Sequence, residues 1–304
     1  MKAVEVHELI RKYRNLVALN NISFSVNKGV LFGVIGPDGA GKSTLFRIIA
    51  TLLTFDAGSV QVAGHDVIKD YKLVRKIIGY MPGRFSLYRD LSVEENLKFF
   101  ATIYQTTIEK NYYIIEKIFR SLEPFKNRKA GALSGGMQQK LALSCTLIHK
   151  PEILLLDEPT TGVDPIARSE FWDILKFLKS LGITTIVSTP YMNEASMCDE
   201  IMLINKGNIL AVNSPIEMIK SYPSALIRIK PENPRHTLNI LEKYKYKKLA
   251  YLTGNNIQYC DFRKNVNINE LQQFLEQNSV IVNNIEIIPP TIEDCFIYYV
   301  HNAY

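Results

Sequence analysis

The stretch GPDGAGKST at residues 36–44 constrains this chain more than any other. It fits the pattern G-x-x-x-x-G-K-[ST] in full, and its surroundings fit too. The apolar, β-rich run GVLFGVIG (29–36) leads into it, and KSTLFRIIATLL (42–53), with apolar residues at helical spacing, leads out. Glycines let the backbone turn several N–H groups inward, which makes a nest for anionic oxygens. The helix expected from Lys42 aims the positive end of its dipole at the same point. Gly36, Pro37, Asp38, Gly39, Ala40, Gly41, Lys42, Ser43 and Thr44 are therefore the expected phosphate-binding residues. Lys42 adds a point charge for the outer phosphates, and Ser43 offers a hydroxyl to Mg²⁺.

Two further stretches add chemistry. EILLLD (152–157) is a short apolar strand of the kind buried in a parallel sheet, and it ends in Asp157 followed by Glu158. An Asp-Glu pair is ordinarily surface charge. After four apolar residues it is not, because two buried carboxylates need a metal or a partner. Asp157 is the expected metal ligand with Ser43, and Glu158 the group that orients or deprotonates an attacking water. LSGGMQQK (133–140) places Ser134 at the start of a helix with Gly135 and Gly136 in its first turn, a second anion-binding end.

Around these stretches the first two thirds of the chain read as α/β. ISFSV (22–26) and ITTIVST (183–189) are expected strands, while GSVQVAGHDV (58–67) and EIMLINKGNILAV (200–212) are expected hairpins, the latter with a Lys-Gly turn. From about Ser92 to Lys150 the chain reads as mostly helical, and SVEENLKFFATIYQ opens with a Ser-x-x-Glu capping pattern. SEFWDILKFLKSLG (169–182) is an expected helix closed by Gly182. NSPIEMIKSYPS (213–224), with two prolines, marks a boundary. Beyond it come a strand, a helix near 234–244, two strands around 247–262, a helix near 267–277, a further strand and a final Thr-capped helix at 289–300.

Composition narrows the class. With 304 residues and 47% hydrophobic content the chain can build one large domain, or one large and one small. A net charge of +6 without basic tracts interleaved with aromatics gives no expectation of nucleic acid. Cys145, Cys198, Cys260 and Cys295 lack zinc-site spacing and are expected as unpaired, mostly buried thiols of a cytosolic protein. The N-terminus has no apolar signal core, and no run approaches the ~18 apolar residues that span a bilayer.

The order of these parts resembles the ATP-binding cassette family along residues 1–215. LSGGMQQK looks like its signature motif, LLLDEP its second nucleotide motif, and TGVDP (161–165), with Asp164, its D-loop. Tyr13, ahead of the first expected strands, matches the aromatic that stacks on adenine. The resemblance implies an α/β P-loop NTPase fold of the ABC ATPase kind, with an antiparallel β subdomain and a helical insertion at about 84–150. This domain is expected over 1–220 and a small α+β accessory domain over 221–304. It implies ATP and Mg²⁺ as ligands, with Lys42 and Glu158 in the catalytic roles. It further implies a second cassette, identical or different, whose ATP is covered by Ser134, Gly135 and Gly136. The implied membrane partner is an integral permease subunit, served by a cytoplasmic chain peripheral on the inner face of the cell membrane. FSLY-DLSVEENL and the C-terminal PPTIEDCFIYYV resemble exporter-type cassettes associated with drug efflux.

Two positions depart from the family pattern. Gly83 stands where the family has a Gln, and Pro190 where it has a His. Neither can supply the usual side-chain donor, so slow or partner-dependent hydrolysis is expected. Arg84 is a candidate substitute cation, weighed against an ordinary solvated loop residue. Among the aromatics of 83–104, Phe85 and Tyr88 are expected at a contact surface. The spacing of 96, 99, 100 and 103 is expected to send Phe99 and Phe100 to the core. Two other readings stay open: a soluble cassette ATPase acting on ribosomes or DNA, and a nucleotide-gated subunit with little turnover.

Overall fold

The computed structural model describes residues 1–84, 87–261, 263 and 266–303. Phe85 lies outside them. The chain divides into two units, Met1–Pro215 and Ile216–Tyr304.

In the first unit, strands β1 (Lys2–Tyr13), β2 (Leu16–Asn27), β4 (Ala57–Val62) and β5 (His65–Asp66) form an antiparallel sheet in the order β2-β1-β4-β5. A six-stranded sheet runs β10-β9-β3-β8-β7-β6. Its members are β3 (Leu31–Ile35), β6 (Ile78–Met81), β7 (Ile153–Asp157), β8 (Thr184–Thr189), β9 (Glu200–Asn205) and β10 (Asn208–Asn213). All neighbours are parallel except the β9–β10 hairpin at the edge. That hairpin turns on Lys206 and Gly207, whose φ values of 46° and 77° suit a tight two-residue turn.

β3, β7 and β8 are buried along their whole length, as parallel strands covered on both faces must be. Helix α1 (Lys42–Ile49) packs where the two sheets meet. Leu45, Phe46, Ile48 and Ile49 share one core cluster with Val4, Val6 and Leu19 of the antiparallel sheet and Phe32, Val34 and Ile186 of the parallel one. Each such side chain contributes about 1.5–3 kcal/mol, so the helix behind the glycine loop is held from both sides. Helix α2 (Tyr71–Ile77) leads into β6.

The strand β1 was not among the expected ones, and Tyr13 ends it rather than preceding the first strands. Four irregularities in its pairing with β2 break the alternation of apolar and charged residues that a strand normally shows.

The helical segment holds α3 (Val93–Ile103), α4 (Ile108–Phe119) and α5 (Gly135–Leu147), and α6 (Pro165–Ser180) joins β7 to β8. Ser92 and Glu95 form the expected capping box on α3. The buried face of α3 differs from the expectation: it carries Val93, Asn96, Leu97 and Ala101, while Phe99 is exposed and Phe100 half-buried. The reason is Asn96. Its side-chain amide donates to the carbonyls of Tyr88, Leu91 and Ser92 and accepts from the Tyr88 N–H. A buried amide that satisfied fixes the face of the helix and pins the preceding loop, leaving Tyr88 (51% exposed) edge-on against Phe99 on the outside.

Helix α7 (Pro215–Lys220) starts on the last residue of the first unit and opens the second, where it is followed by β11 (Leu226–Pro231), α8 (Pro234–Leu241), β12 (Lys247–Thr253), β13 (Asn256–Asp261), α9 (Ile268–Gln277), β14 (Val282–Ile288) and α10 (Ile292–Ala303). From β11 to β14 this is a split β-α-β pattern with sheet order β12-β13-β11-β14. Ile227, Ile229, Ile257 and Tyr259 pack against Leu241, Leu271 and Leu275 of the helices. Thr291 and Asp294 cap α10 reciprocally. The division at 215/216 precedes the expected boundary at 220/221. Helix α7 accounts for this: Met218 is buried and its carbonyl accepts from the Cys295 thiol of α10. All four cysteines are buried and unpaired.

Candidate functional site

Parallel register builds the site. Ile35 pairs with Thr189 and Val34 with Ser188, while Asp157 pairs with Ser188. The C-terminal ends of β3, β8 and β7 therefore lie side by side, and the glycine loop rises from the first of them. Gly36 N–H donates to the Thr189 carbonyl at 3.3 Å, and Ala40 N–H to that of Pro37 at 3.2 Å. Gly41 precedes α1 with φ of 107°, and a Cβ there would sit 2.5 Å from the Ala18 carbonyl oxygen, so only glycine fits. No side chain caps the first turn of α1 and no acidic residue lies in it. Its N–H groups and dipole are left for an external anion.

Lys42 is only 3% exposed. Its ammonium donates to the carbonyls of Gly36 (2.8 Å) and Pro37 (3.0 Å) and pairs with Glu158 Oε1 at 3.1 Å. Asp157, also buried, accepts from Ser43 Oγ at 3.1 Å and Ser188 Oγ at 2.7 Å on the same Oδ1. Ser188 Oγ in turn accepts from the Glu158 N–H at 2.9 Å. Glu158 has a left-handed backbone, φ 51°, which costs a non-glycine residue free energy and persists only where its surroundings enforce it. Ser43 and Asp157 present two hard oxygen ligands on the phosphate side of a cation-lined loop. That donor set fits Mg²⁺, which takes one or two protein oxygens and fills the rest with phosphates and water.

The cleft over this centre holds about 400 Å³ and is lined by Tyr13, Leu16, Val17, Ala18, residues 39–44, Glu158 and Lys206. Tyr13 is 38% exposed, with the Arg11 guanidinium 4.9 Å from its ring centroid. The hairpin turn closes the floor: Gly207 N–H donates to the Ala40 carbonyl and the Gly207 carbonyl accepts from Asn20 N–H. Another cleft of about 400 Å³, between Lys28, Lys150 and Glu152, lies at the opposite ends of the strands and has no comparable set of converging polar groups.

The structure thus brings together Tyr13, residues 36–44, Asp157 and Glu158. It does not bring Ser134, Gly135 and Gly136 into this cleft. Ser134 caps α5 by accepting from Met137 N–H. A Cβ on Gly136 would meet the Ala167 Cβ at 2.9 Å, and Gly135 faces the Gly162 carbonyl. The tip of α5 therefore packs against the start of α6, where Asp164 accepts from the N–H groups of Ile166 and Ala167. These residues form a second locus, apart from the cleft of their own chain.

Ser188 was missed from sequence. The signal was present in STP (188–190): a hydroxyl in a wholly buried strand needs a polar partner. Leu16, Val17, Ala18 and Lys206 carry no local signal and line the cleft through folding alone. Gly83 lies against the end of β7, where an added Cβ would stand 2.9 Å from the Asp157 carbonyl oxygen. Arg84 beside it is exposed.

The family described as ABC transporter matches residues 19–161. The probable multidrug ABC transporter ATP-binding protein YbhF of Escherichia coli K12 is 44% identical over 200 residues, 65% of this chain but 35% of YbhF. The chain thus spans about a third of that relative's length. The Nod factor export ATP-binding protein I of Rhizobium sp. N33 is 35% identical over 246 residues, covering 80% of this chain and 81% of that protein. The daunorubicin resistance ATP-binding protein DrrA3 of Streptomyces coeruleorubidus is 34% identical over 219 residues, 71% and 69%. Among solved structures, cbiO1 of Clostridium perfringens, part of the ABC transporter complex cbiONQ, superposes with a TM-score of 0.65 at 25% identity, covering 72% of this chain and 91% of its own. A dimeric bacterial ABC transporter cassette gives 0.63 at 26%, covering 69% and 98%. On the loop, the strand-end carboxylates and relatives matched over most of their length, the chain belongs to the ABC transporter family as one of its ATP-binding cassettes.

Proposed function

We propose that this chain is the ATP-binding subunit of an exporter and hydrolyses ATP to drive a separate membrane subunit. The observation that carries the reading is the convergence of Lys42, Ser43, Asp157 and Glu158 at one end of a parallel sheet, under a cleft of nucleotide size. The Nod factor export relative, matched over 81% of its length, supports the direction of transport.

In this reading Tyr13 stacks on the adenine, and the N–H groups of residues 36–44 hold the phosphates. Lys42 exchanges Glu158 for an outer phosphate. Ser43 and Asp157 would hold Mg²⁺, which would supply neutralisation of phosphate charge. Glu158, released from Lys42, orients the attacking water and takes its proton. A second cassette supplies its own signature helix to close the cleft, while Ser134, Gly135 and Gly136, with Asp164 behind them, close over the partner's nucleotide. The chain works from the cytoplasmic side, peripheral on the inner face of the membrane, and among the described residues no helix is long and apolar enough to cross it. The exposed pair formed by Tyr88, on the loop held by Asn96, and Phe99 of α3 is the surface offered to the permease.

Hydrolysis is slow in this site. Gly83 has no side chain, and its close approach to the Asp157 carbonyl leaves no room for one. Pro190 has no donor. Each missing transition-state contact lowers the rate by roughly 10²–10³, although such losses do not simply add. The test is ATP turnover of the chain co-purified with its membrane subunit, beside Glu158→Gln. Slow turnover abolished by the substitution is the expected result. A rate that survives in Glu158→Gln removes Glu158 as the base, and failure to sediment with membranes removes the transporter.

A further inference from the structure

A second buried carboxylate stands behind the first. Glu194, in the short helical turn Met192–Met197 after β8, is 3% exposed. It accepts from Thr160 Oγ1 on both oxygens, at 2.9 and 3.2 Å, and from Thr189 Oγ1 on Oε2. Arg168 Nε of α6 lies 3.6 Å from Oε1, and the same guanidinium covers the Tyr191 ring at 4.2 Å. Thr189 Oγ1 also accepts from the Tyr191 N–H. An ionised group is costly to bury, and this one is surrounded by hydroxyls and a guanidinium drawn from three separate stretches of chain.

One of those stretches carries Glu158, and another holds its backbone. Thr160 follows Glu158 by two residues, and the Thr161 N–H donates to the Glu158 carbonyl. Thr189 follows Ser188, whose hydroxyl and carbonyl both accept from the Glu158 N–H. Thr189 also precedes Pro190, and Arg168 lies one turn into the helix that Asp164 caps. The left-handed backbone of Glu158 is held by these neighbours and not by local preference. Where residue 190 has no imidazole and residue 83 no side chain, the aim of Glu158 rests more heavily on that support.

We propose that Glu194 is a positioning residue for hydrolysis: through Thr160 and Thr189 it fixes the 157–160 and 188–191 stretches against each other and so sets the orientation of Glu158. This rests on the reading of Glu158 as the group that orients water. Glu194 does not line the cleft over the glycine loop, so its loss is felt in turnover and not in affinity.

The test uses the full chain with Glu194→Gln and Thr160→Val, singly and together. Gln keeps the size and can still exchange hydrogen bonds with both hydroxyls, but it loses the charge that holds Arg168. The expected result for Glu194→Gln is a kcat lowered about 10- to 100-fold, as for a displacement of a catalytic group by part of an ångström. The KM for ATP and the affinity for a fluorescent ATP analogue should stay within about 2-fold. Thr160→Val should lower kcat too, and the double variant should lose less than the product of the single losses. An unchanged kcat in Glu194→Gln, or an equal loss of ATP affinity, overturns the assignment. Amide hydrogen exchange separates this from the parent reading. If the wild-type chain shows no turnover above Glu158→Gln, the hydrolytic reading falls. Glu194→Gln should still speed exchange at the Glu158 and Thr161 amides by about 10-fold or more, and equal exchange rates overturn the positioning role whatever the turnover.

Discussion

Lys42 has Glu158 as its charge partner, and removing that charge should reveal the competition between carboxylate and phosphate. At 3.1 Å and an effective dielectric of ~20 the attraction is about 5 kcal/mol before desolvation. Two groups exposed 3% and 23% lose much of their hydration, and Gln still accepts a hydrogen bond from the ammonium. A net loss of about 1–2 kcal/mol remains for Glu158→Gln. For a unit of this size each kcal/mol is worth about 2–4 °C, so the ligand-free variant should melt about 2–8 °C lower. The chain's single tryptophan makes the assay specific: Trp172 is buried in α6 of the first unit, so its fluorescence reports that unit alone. With a saturating non-hydrolysable ATP analogue and Mg²⁺, phosphate replaces the carboxylate and the gap should close. The repulsion between Glu158 and the phosphates is then also absent, so the variant should bind the analogue about 10-fold tighter, or roughly 1.4 kcal/mol. Equal melting of the ligand-free proteins, or equal stabilisation by the analogue, would show that the two groups do not depend on each other.

Asn96→Ala removes four hydrogen bonds at a fully buried position and should cost about 2–3 kcal/mol, read as a lower denaturation midpoint by Trp172 fluorescence. His149, stacked on Tyr104 at 3.8 Å, has its pKa lowered below 6.5, chiefly by burial and against an opposing hydrogen bond to the Ile78 carbonyl. The unfolded chain therefore binds a proton first, so stability is full above pH 6.5 and falls as pH drops from there to the lower folded value. His149→Gln should flatten that slope in thermal melts at graded pH. Pro190→His should raise turnover about 10-fold or more, whereas Gly83→Gln should not, because its Cβ would collide with the Asp157 carbonyl. Steady-state ATPase assays on the two variants separate these outcomes.

How much of this was legible beforehand depends on the range of the interaction. The glycine loop, its flanking strand and helix, the Ser92 capping box and the Lys206–Gly207 hairpin are local patterns, and they read directly. The strand β1 did not, because its bulges interrupt the alternation and its charges resemble an exposed arm. The face of α3 was misassigned since the spacing of 96, 99, 100 and 103 favoured Phe99 and Phe100, whereas Asn96, a small amide with four hydrogen bonds, decided the matter. The site divides in the same way. Lys42, Asp157 and Glu158 announce themselves by motif. Ser188 and Glu194 matter through register and burial, which bring residues from 157 to 194 around one point. The separation of Ser134, Gly135 and Gly136 from the cleft of their own chain depends on how α5 packs on α6, which no short pattern encodes.

The Lys206–Gly207 turn looks like an ordinary surface hairpin, yet it is wedged between two other parts of the molecule. A Cβ on Gly207 would stand 2.8 Å from the Ala18 carbonyl oxygen, its N–H is tied to the glycine loop, and its carbonyl to β2. Anyone grafting a tag, a fluorophore or a circular-permutation break onto this protein should avoid that tempting bend. The Thr253–Asn256 turn of the second unit, where Gly254 has open space around it, is the safer place to cut or decorate.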